Sequence, residues 1–518
     1  MIVDNLEDLP DGWILTTLGD LGSWSSGGTP SRTESRYYNG DIPWIKTGDL
    51  SDGLLLEIEE KITSEGLKNS SAKIFPVNSL VVAMYGATIG RLGILKIPAA
   101  TNQACGVLLA QGITDQLIQY LFYYLLSNRE TLRKIGKGGA QPNISQTLLK
   151  EFPCPLPPLN EQRRIVSTIE QLTDQSNKAR TALADVPKLI EQFRQSVLAA
   201  AFRGDLTADW REKNPDVEPA SELLERIKID RRKRWEEAEL EKMRAQGKEP
   251  KDDKWKKRYS DPKLLEIDDL PDIPDTWTWV NADQVSWQVT DGEHNQPRYE
   301  SQGYPMLTAK HVRDGYVDMS VVQLIAEDSF KKARFRCAPE ENDLLIVSVG
   351  ATTGRAAIVN GCDPFALVRS VLLVKTLIPS QFILNWIRSR WCQLWIAKAS
   401  GSTAQAHLYI NDTKIMPVPL PPEKELEEII WIVKVMFDKF DSLSILLTDN
   451  FEELNRLDRS ILAKAFRGEL VPQDPNDEPA AVLLERIRAE REQTSTPKQH
   501  GKTTRKNSSK QLSIEGIE

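Results

Sequence analysis

Few residues in this chain are spaced for covalent chemistry. A phosphate-gripping loop needs a glycine at the head of a Gly-x-x-x-x-Gly-Lys-Ser/Thr run, and Gly501-Lys502-Thr503 has Thr496 at that place. There is no Gly-x-Gly-x-x-Gly run after a strand and no Asn-Pro-Pro-Tyr segment of the adenine methyltransferase type. His294 and His311 lack neighbours at metal-ligand spacing and read as surface or loop histidines. The five cysteines (Cys105, Cys154, Cys337, Cys362 and Cys392) form no C-x-x-C pair and are expected to be reduced thiols. Scattered carboxylates single out no acid–base pair. What remains is hydrogen-bonding chemistry, in three loops that each occur twice. Trp44-Ile45-Lys46-Thr47-Gly48 answers Met306-Leu307-Thr308-Ala309-Lys310-His311. Gly86–Arg91 answers Gly350–Arg355. Lys137-Gly-Gly-Ala-Gln141-Pro-Asn143 answers Ser400-Gly-Ser-Thr403-Ala-Gln405-Ala-His407.

These loops sit in a tandem repeat. Ala201-Phe202-Arg203-Gly204 returns as Ala465-Phe466-Arg467-Gly468, and 465 − 201 = 264. The same shift carries Pro10-Asp11-x-Trp13 onto Pro274-Asp275-x-Trp277, Gly86-Ala87-Thr88-x-Gly90-Arg91 onto Gly350-Ala351-Thr352-x-Gly354-Arg355, and the Pro153–Pro158 run onto Pro417–Pro422. Each copy opens with short β-type runs, such as Ser79–Ala83 and Leu344–Ser348, broken by Gly, Pro and Asn turns. One helix-like run follows in each, Asp115–Leu132 and Pro379–Ala397. The fold class expected is therefore α/β (α+β), duplicated about a pseudo-two-fold internal repeat.

A long helix follows each globular part. Apolar positions step alternately by four and three through Ile165, Ile169, Leu172, Ser176, Ala179, Leu183, Val186, Ile190, Phe193 and Val197. The second copy repeats the step through Ile429, Val433, Met436, Phe440, Leu443, Leu447, Asn450, Leu454, Leu457 and Ile461. A heptad seam of this kind pairs two helices, and ~40 residues at 1.5 Å rise would reach ~60 Å. The expectation is a pair of long antiparallel coiled-coil helices, the first kinked at Pro187, with Ser176 and Asn450 fixing register. The segments expected are 1–158 and 268–422 as globular domains, 159–206 and 423–470 as coiled-coil helices, 207–267 as a polar helix and linker, and 471–518 as a helix with a disordered basic tail. Ala201–Gly204 reads as a helix C-terminus with the glycine as its cap.

Composition sets the outer limits. A chain of 518 residues implies more than one core. The acidic MIVDNLEDLPDG start and the lack of a long apolar run lead us to expect a cytoplasmic protein with no signal peptide and no membrane contact. The net charge of −8 argues against a protein that coats nucleic acid. It leaves room for a reader whose basic groups are confined to one face.

With the repeat in hand, the chain resembles the specificity subunit of type I restriction–modification systems. The resemblance is carried by Pro-Leu-Pro-Pro-Leu-Asn-Glu161-Gln162 leading into the first long helix, by Ser196–Leu206 and Ser460–Leu470 around the two Ala-Phe-Arg-Gly runs, and by the Leu-Leu-Glu-Arg-Ile segments after each. One departure is Glu423-Lys-Glu-Leu426, which lacks the Glu-Gln pair of the first copy. The resemblance implies a non-catalytic subunit that binds double-stranded DNA at two half-sites, one per globular domain. It also implies that the paired helices set the gap and dock two methyltransferase subunits, and that restriction subunits join that core. S-adenosylmethionine, ATP and Mg²⁺ would be used by those partners, with no cofactor on this chain. The competing reading is a duplicated scaffold that binds another protein and no DNA.

For a DNA reader, base-edge contacts need Arg, Lys, Asn, Gln or hydroxyl side chains on exposed loops. The candidates are Lys46, Thr47, Tyr85, Arg91, Gln141 and Asn143 in the first copy, and Lys310, His311, Arg355, Gln405, His407 and Tyr409 in the second. Features common to both copies, such as Gly86 and Gly90, are expected to be structural. Residues that differ are the better candidates for sequence choice.

Overall fold

The computed structural model describes residues 9–109, 114–136, 143–250, 252–266, 270–295, 298–401 and 406–495. The chain divides into two compact units, one formed by Met1–Leu183 with Asp449–Glu518 and the other by Ala184–Thr448. The division falls inside both heptad segments, so neither unit follows the linear boundaries read from sequence. Each is built from pieces of both copies.

In unit 1 a five-stranded sheet runs in the order Ser23–Ser26, Cys105–Leu109, Leu80–Ala83, Leu92–Leu95, Gly53–Leu55. The run Leu80-Val-Val-Ala is apolar throughout because it lies in the middle of this sheet with both faces covered. Leu80 and Val82 join Leu117 and Leu121 of helix Asp115–Ser127, while Val81 and Ala83 face Ile45, Leu50 and Phe75. A four-stranded sheet (Lys61–Ile62, Tyr38–Ile45, Ala99–Thr101, Ile74–Phe75) supplies that second layer. A short antiparallel pair, Ile14–Thr17 with Pro153–Leu156, closes the domain.

Unit 2 repeats the plan. The four-stranded sheet Ser286–Asp291, Val371–Thr376, Leu344–Val347, Ala356–Ile358 stands beside a second one made of Tyr299–Glu300, Gln323–Ile325, Tyr304–Leu307 and Ala366–Leu367. The pair Thr278–Asn281 with Pro417–Leu420 closes it. Both helix-like runs are broken in two. Asp115–Ser127 is followed by Arg129–Ile135, and Ser380–Arg388 by Arg390–Ala399. In unit 2 the break is a helix start, for the Ser389 hydroxyl accepts from the Cys392 N–H and caps the second helix.

The first long helix is also divided, into Leu159–Ala184 and Val186–Arg203, with Pro187 in the first turn of the second piece, where its missing N–H costs nothing. Glu423–Ala465 is one uninterrupted helix of 43 residues. Of the seam positions in unit 1, Ile165, Ile169 and Ile461 are buried in one cluster with Phe466, Leu483 and Ile487, and Leu172 packs on its margin. Leu183 and Leu454 are half-buried. In unit 2, Ile190, Val433 and Leu447 are buried and Phe440 is half-buried. Phe193 departs from the expectation of a closed seam: it is 58% exposed, stacked on Phe440 with 6.4 Å between ring centroids. The linker helix Ala220–Ala245 buries Ala220, Leu223 and Ile227 and is otherwise mostly solvated. Arg231 ties it to unit 2 through Asp283 and the Ser286 carbonyl.

The repeated motifs hold each unit together. Gly204 and Gly468 end their helices at φ +80° and +73°, and a Cβ on either would run into a proline ring, Pro274 and Pro10 respectively. Phe466 packs edge-on to Tyr120 and Tyr124, as Phe202 does to Phe382 and Trp386. Trp13 Nε1 donates to buried Glu161 at 3.0 Å, and Trp277 Nε1 to buried Glu425 at 2.9 Å. Glu425 therefore occupies the place of Glu161, and Leu426, not a glutamate, is the substituted half of the Glu-Gln pair.

Candidate nucleic-acid interface

The Gly-Ala-Thr loop is the pivot of each rim. It leaves strand Leu80–Ala83 (or Leu344–Val347) and turns back by two glycines in the left-handed region, Gly86 and Gly90 at φ +67° and +78°, Gly350 and Gly354 at +96° and +86°. A Cβ on Gly90 would press on Arg129, and one on Gly354 on Ile396. The shared glycines are thus needed for the turn. Of the arginines that end these loops, Arg91 is exposed and Arg355 half-buried. Neither side chain has an ion-pair partner among the described residues.

Beside each loop a second segment forms an isolated bridge, Tyr85 with Asn143 in unit 1 and Val349 with His407 in unit 2. The flanking bonds correspond as well, Ile144 N–H to Met84 O and Leu408 N–H to Ser348 O, both 2.8 Å. One frame thus presents Tyr85 and Asn143 in one unit, where the other presents Val349 and His407. The His407 ring stacks on exposed Tyr409, centroids 4.0 Å apart. Gln141 and Gln405 lie outside the described residues, as does the basic tail from Thr496.

The remaining loop candidates separate by burial. Lys46 pairs with Glu60 at 2.5 Å, and Glu60 also takes Arg32 at 2.5 Å. Burial raises the Glu60 carboxyl, but the hydrogen bonds from Arg32 and Lys46 outweigh it and hold it below the ordinary value. Thr47 is half-buried at the start of the short turn Thr47–Asp49, whose Asp49 carboxylate accepts from the Lys46 N–H. His311 does the same job in unit 2 and is corrected as a base-reading candidate. It is 4% exposed, Nδ1 accepts from the Thr308 N–H at 2.9 Å, and Nε2 lies 3.0 Å from the Val321 carbonyl. Both ring nitrogens are engaged and the side chain cannot reach a ligand. Lys310 beside it is exposed.

Sequence reasoning missed a cleft in unit 2 lined by Asp291, His294, Arg369, His407 and Tyr409. Asp291 is buried, with Oδ2 2.8 Å from His294 Nε2 and Oδ1 accepting from Arg336 at 2.6 Å. His294 therefore belongs to an ion cluster. Arg369 is exposed, and its guanidinium has no partner among the described residues. A constant shift of 264 hides what stands opposite Arg369, because the repeat gains residues before it. The strand register finds the match. Cys105 pairs with Ala83 as Val371 does with Val347, and Thr101 pairs with Ile45 as Leu367 does with Leu307. Both give 266 (371 − 105 and 367 − 101), which sets Gln103 opposite Arg369. The same reasoning sets Thr29 opposite His294, since the Gly28 and Glu293 N–H groups donate to Thr101 and Leu367. Thr29 Oγ1 donates to Gln103 Oε1 at 2.5 Å. The rim of unit 1 at these positions is polar and uncharged, while that of unit 2 is ionisable.

Among the described residues no group of three His, Cys, Asp or Glu is placed to hold a metal ion, and no helix is long and apolar enough to cross a membrane.

Comparison with known proteins agrees in sequence and in fold. Residues 10–184 match the family model of the type I restriction modification DNA specificity domain. The specificity subunit of the type I restriction enzyme EcoBI of Escherichia coli is 25% identical over 94% of this chain and 94% of its own length. That of EcoKI from E. coli K12 is 23% identical over 93% and 96%. Among solved structures, a chain from work on complex assembly and conformational transition of the type I R-M system superposes with a TM-score of 0.61 at 18% identity, covering 89% of this chain and 100% of that one. The HsdS subunit from Thermoanaerobacter tengcongensis gives 0.51 at 16%, covering 90% and 100%.

Proposed function

We infer, from the premise that the chain belongs to the type I restriction–modification specificity-subunit family, that it reads a DNA site in two parts, one half-site per unit, and carries no catalysis of its own. One observation supports this most directly. The two units present the same backbone frame at the Gly-Ala-Thr rim and fill it with different side chains, Tyr85 and Asn143 against Val349 and His407. A common frame with changed side chains is what two readers of unlike sequences require, since base edges are told apart by donor and acceptor pattern. A scaffold for one protein partner would have no use for that contrast.

The helices serve in this reading as an antiparallel spacer and as the dock for two methyltransferase subunits, to which restriction subunits attach. Their contacts fit antiparallel pairing. Arg180 meets Asp458 within unit 1, and Arg194 meets Asp441 within unit 2, so the partner number falls as the residue number rises. Methyl transfer from S-adenosylmethionine and ATP- and Mg²⁺-dependent cleavage belong to the partner subunits. This chain supplies the binding and the geometry. The negative net charge is compatible with such a role, because recognition uses a few placed groups rather than a basic coat.

The test is to express the chain with its methyltransferase partner in a methylation-free bacterial host and map N6-methyladenine by long-read sequencing. A two-part motif with a fixed unread gap is expected. Co-purification of intact partners with no methylation would return the scaffold reading. Removing one heptad from the paired helices should alter or abolish the gap, and exchanging residues 1–158 should change one half-site only.

A further inference from the structure

We propose that Gln103 and Arg369 are matched specificity determinants of the two units, Gln103 directed at adenine and Arg369 at guanine. This rests on the reading of the chain as a DNA specificity subunit and adds to it the bases read.

The two residues occupy one position of a shared frame, fixed by the strand register on either side. Both are exposed at the end of a short strand of the second sheet, Ala99–Thr101 or Ala366–Leu367, just before the chain enters the central sheet. The Arg369 backbone and the Gln103 side chain are each held. The Arg369 N–H donates to the Glu293 carbonyl at 3.0 Å, and its carbonyl accepts from Ser348 Oγ at 3.3 Å. In unit 1, the Thr29 hydroxyl pins the Gln103 amide. A reading side chain needs a rigid base of this kind.

The chemistry then follows from what each head group can pair with. In the major groove guanine offers two acceptors, N7 and O6, which match the paired donors of a guanidinium. Adenine offers an acceptor and a donor, N7 and N6, which match a carboxamide. Arg336 is tied to Asp291 of the cleft, while Arg355 and Lys310 stand on neighbouring loops that do not line it. Arg369 is the guanidinium lining the cleft beside the stacked His407–Tyr409 pair that has no partner among the described residues. On the unit 1 side Lys46 is bound to Glu60, and the amides of Gln103 and Asn143 are exposed alongside Tyr85 and Arg91.

The experiment uses the full chain co-expressed with its methyltransferase partner, with methylation motifs mapped for the wild type, R369Q, R369K and Q103R. Binding to duplexes varied one base pair at a time is then measured over a salt series. The wild type is expected to show guanine in one half-site and adenine in the other at the affected positions. R369Q should lower discrimination for that guanine by roughly tenfold to a hundredfold and leave the other half-site unchanged. Q103R should act only on the other half-site. R369K keeps the charge but not the fork, so it should lose the discrimination while keeping the salt dependence. Uniform weakening by R369Q across all duplexes, with a shallower salt dependence and intact guanine preference, would make Arg369 a phosphate contact and overturn the proposal. So would a half-site without guanine, or both variants acting on one half-site. A wild-type complex with no bipartite motif would instead bring down the functional reading itself, and it would do so before any variant is made.

Discussion

The two units share a buried indole–carboxylate contact and satisfy it differently. In unit 2, Glu425 is met by Arg211 at 2.5 Å, by the Thr207 hydroxyl at 2.7 Å and by Trp277. In unit 1, Glu161 receives Trp13, while its Oε1 is buried with no hydrogen-bond partner. Beside Gly468 the Gln473 amide stands where Arg211 stands beside Gly204, and the cation acting on Glu161 is instead Arg164, which makes no hydrogen bond to it. Burial pushes the Glu161 carboxyl above its ordinary value, and the Trp13 hydrogen bond and the Arg164 charge offset only part of that. Two matched contacts can thus keep one shape while their other polar partners differ, because the indole fixes the carboxylate's position in both units.

The largest effect should come from removing that support where it exists. Arg211→Met leaves Glu425 buried without its cation and should cost about 3–5 kcal/mol, seen as faster hydrogen exchange in unit 2 peptides with unit 1 unchanged. The indoles should then rank in the opposite order. Trp13→Phe takes the donor from Glu161 and should cost unit 1 about 2–3 kcal/mol, whereas Trp277→Phe leaves Glu425 two partners and should cost about 1 kcal/mol. Equal losses in urea unfolding of the two variants would show that the carboxylates are supported alike. Gly204→Ala and Gly468→Ala test the symmetric part: each places a Cβ at positive φ against a proline, so about 1–3 kcal/mol is expected from both.

The smallest effect is the pH dependence. A carboxyl raised in the folded state binds more protons there than in the unfolded chain, so its contribution is fully present below the unfolded value and is lost as pH rises through the folded one. The Glu161 contribution to unit 1 should therefore fall on going from acid toward neutral pH, against the opposite trend from the lowered carboxyls of Glu60, Asp20 and Asp477. Glu161→Gln should remove that fall and, at neutral pH, leave unit 1 unchanged or more stable by up to about 1 kcal/mol. A slope unaltered by this substitution in melts across pH would assign it to other groups.

The sequence alone determined the matched motifs, the apolar strands Leu80–Ala83 and Leu344–Val347, the glycine turns and the helix-ending Gly204, the last three because they follow from local conformational preference and side-chain period. It also carried the family resemblance. It did not disclose that Trp13 and Trp277 hold Glu161 and Glu425, that His311 is an internal cap, or that Gln103 stands opposite Arg369. Tertiary structure decided those, and for Gln103 and Arg369 the reason is that the offset between the matched segments changes and the hydrogen-bond register between distant strands restores the correspondence. Burial was decided there too. A histidine between loop residues reads as exposed until the chain folds over it, and a heptad position such as Phe193 reads as core although its helix leaves it open.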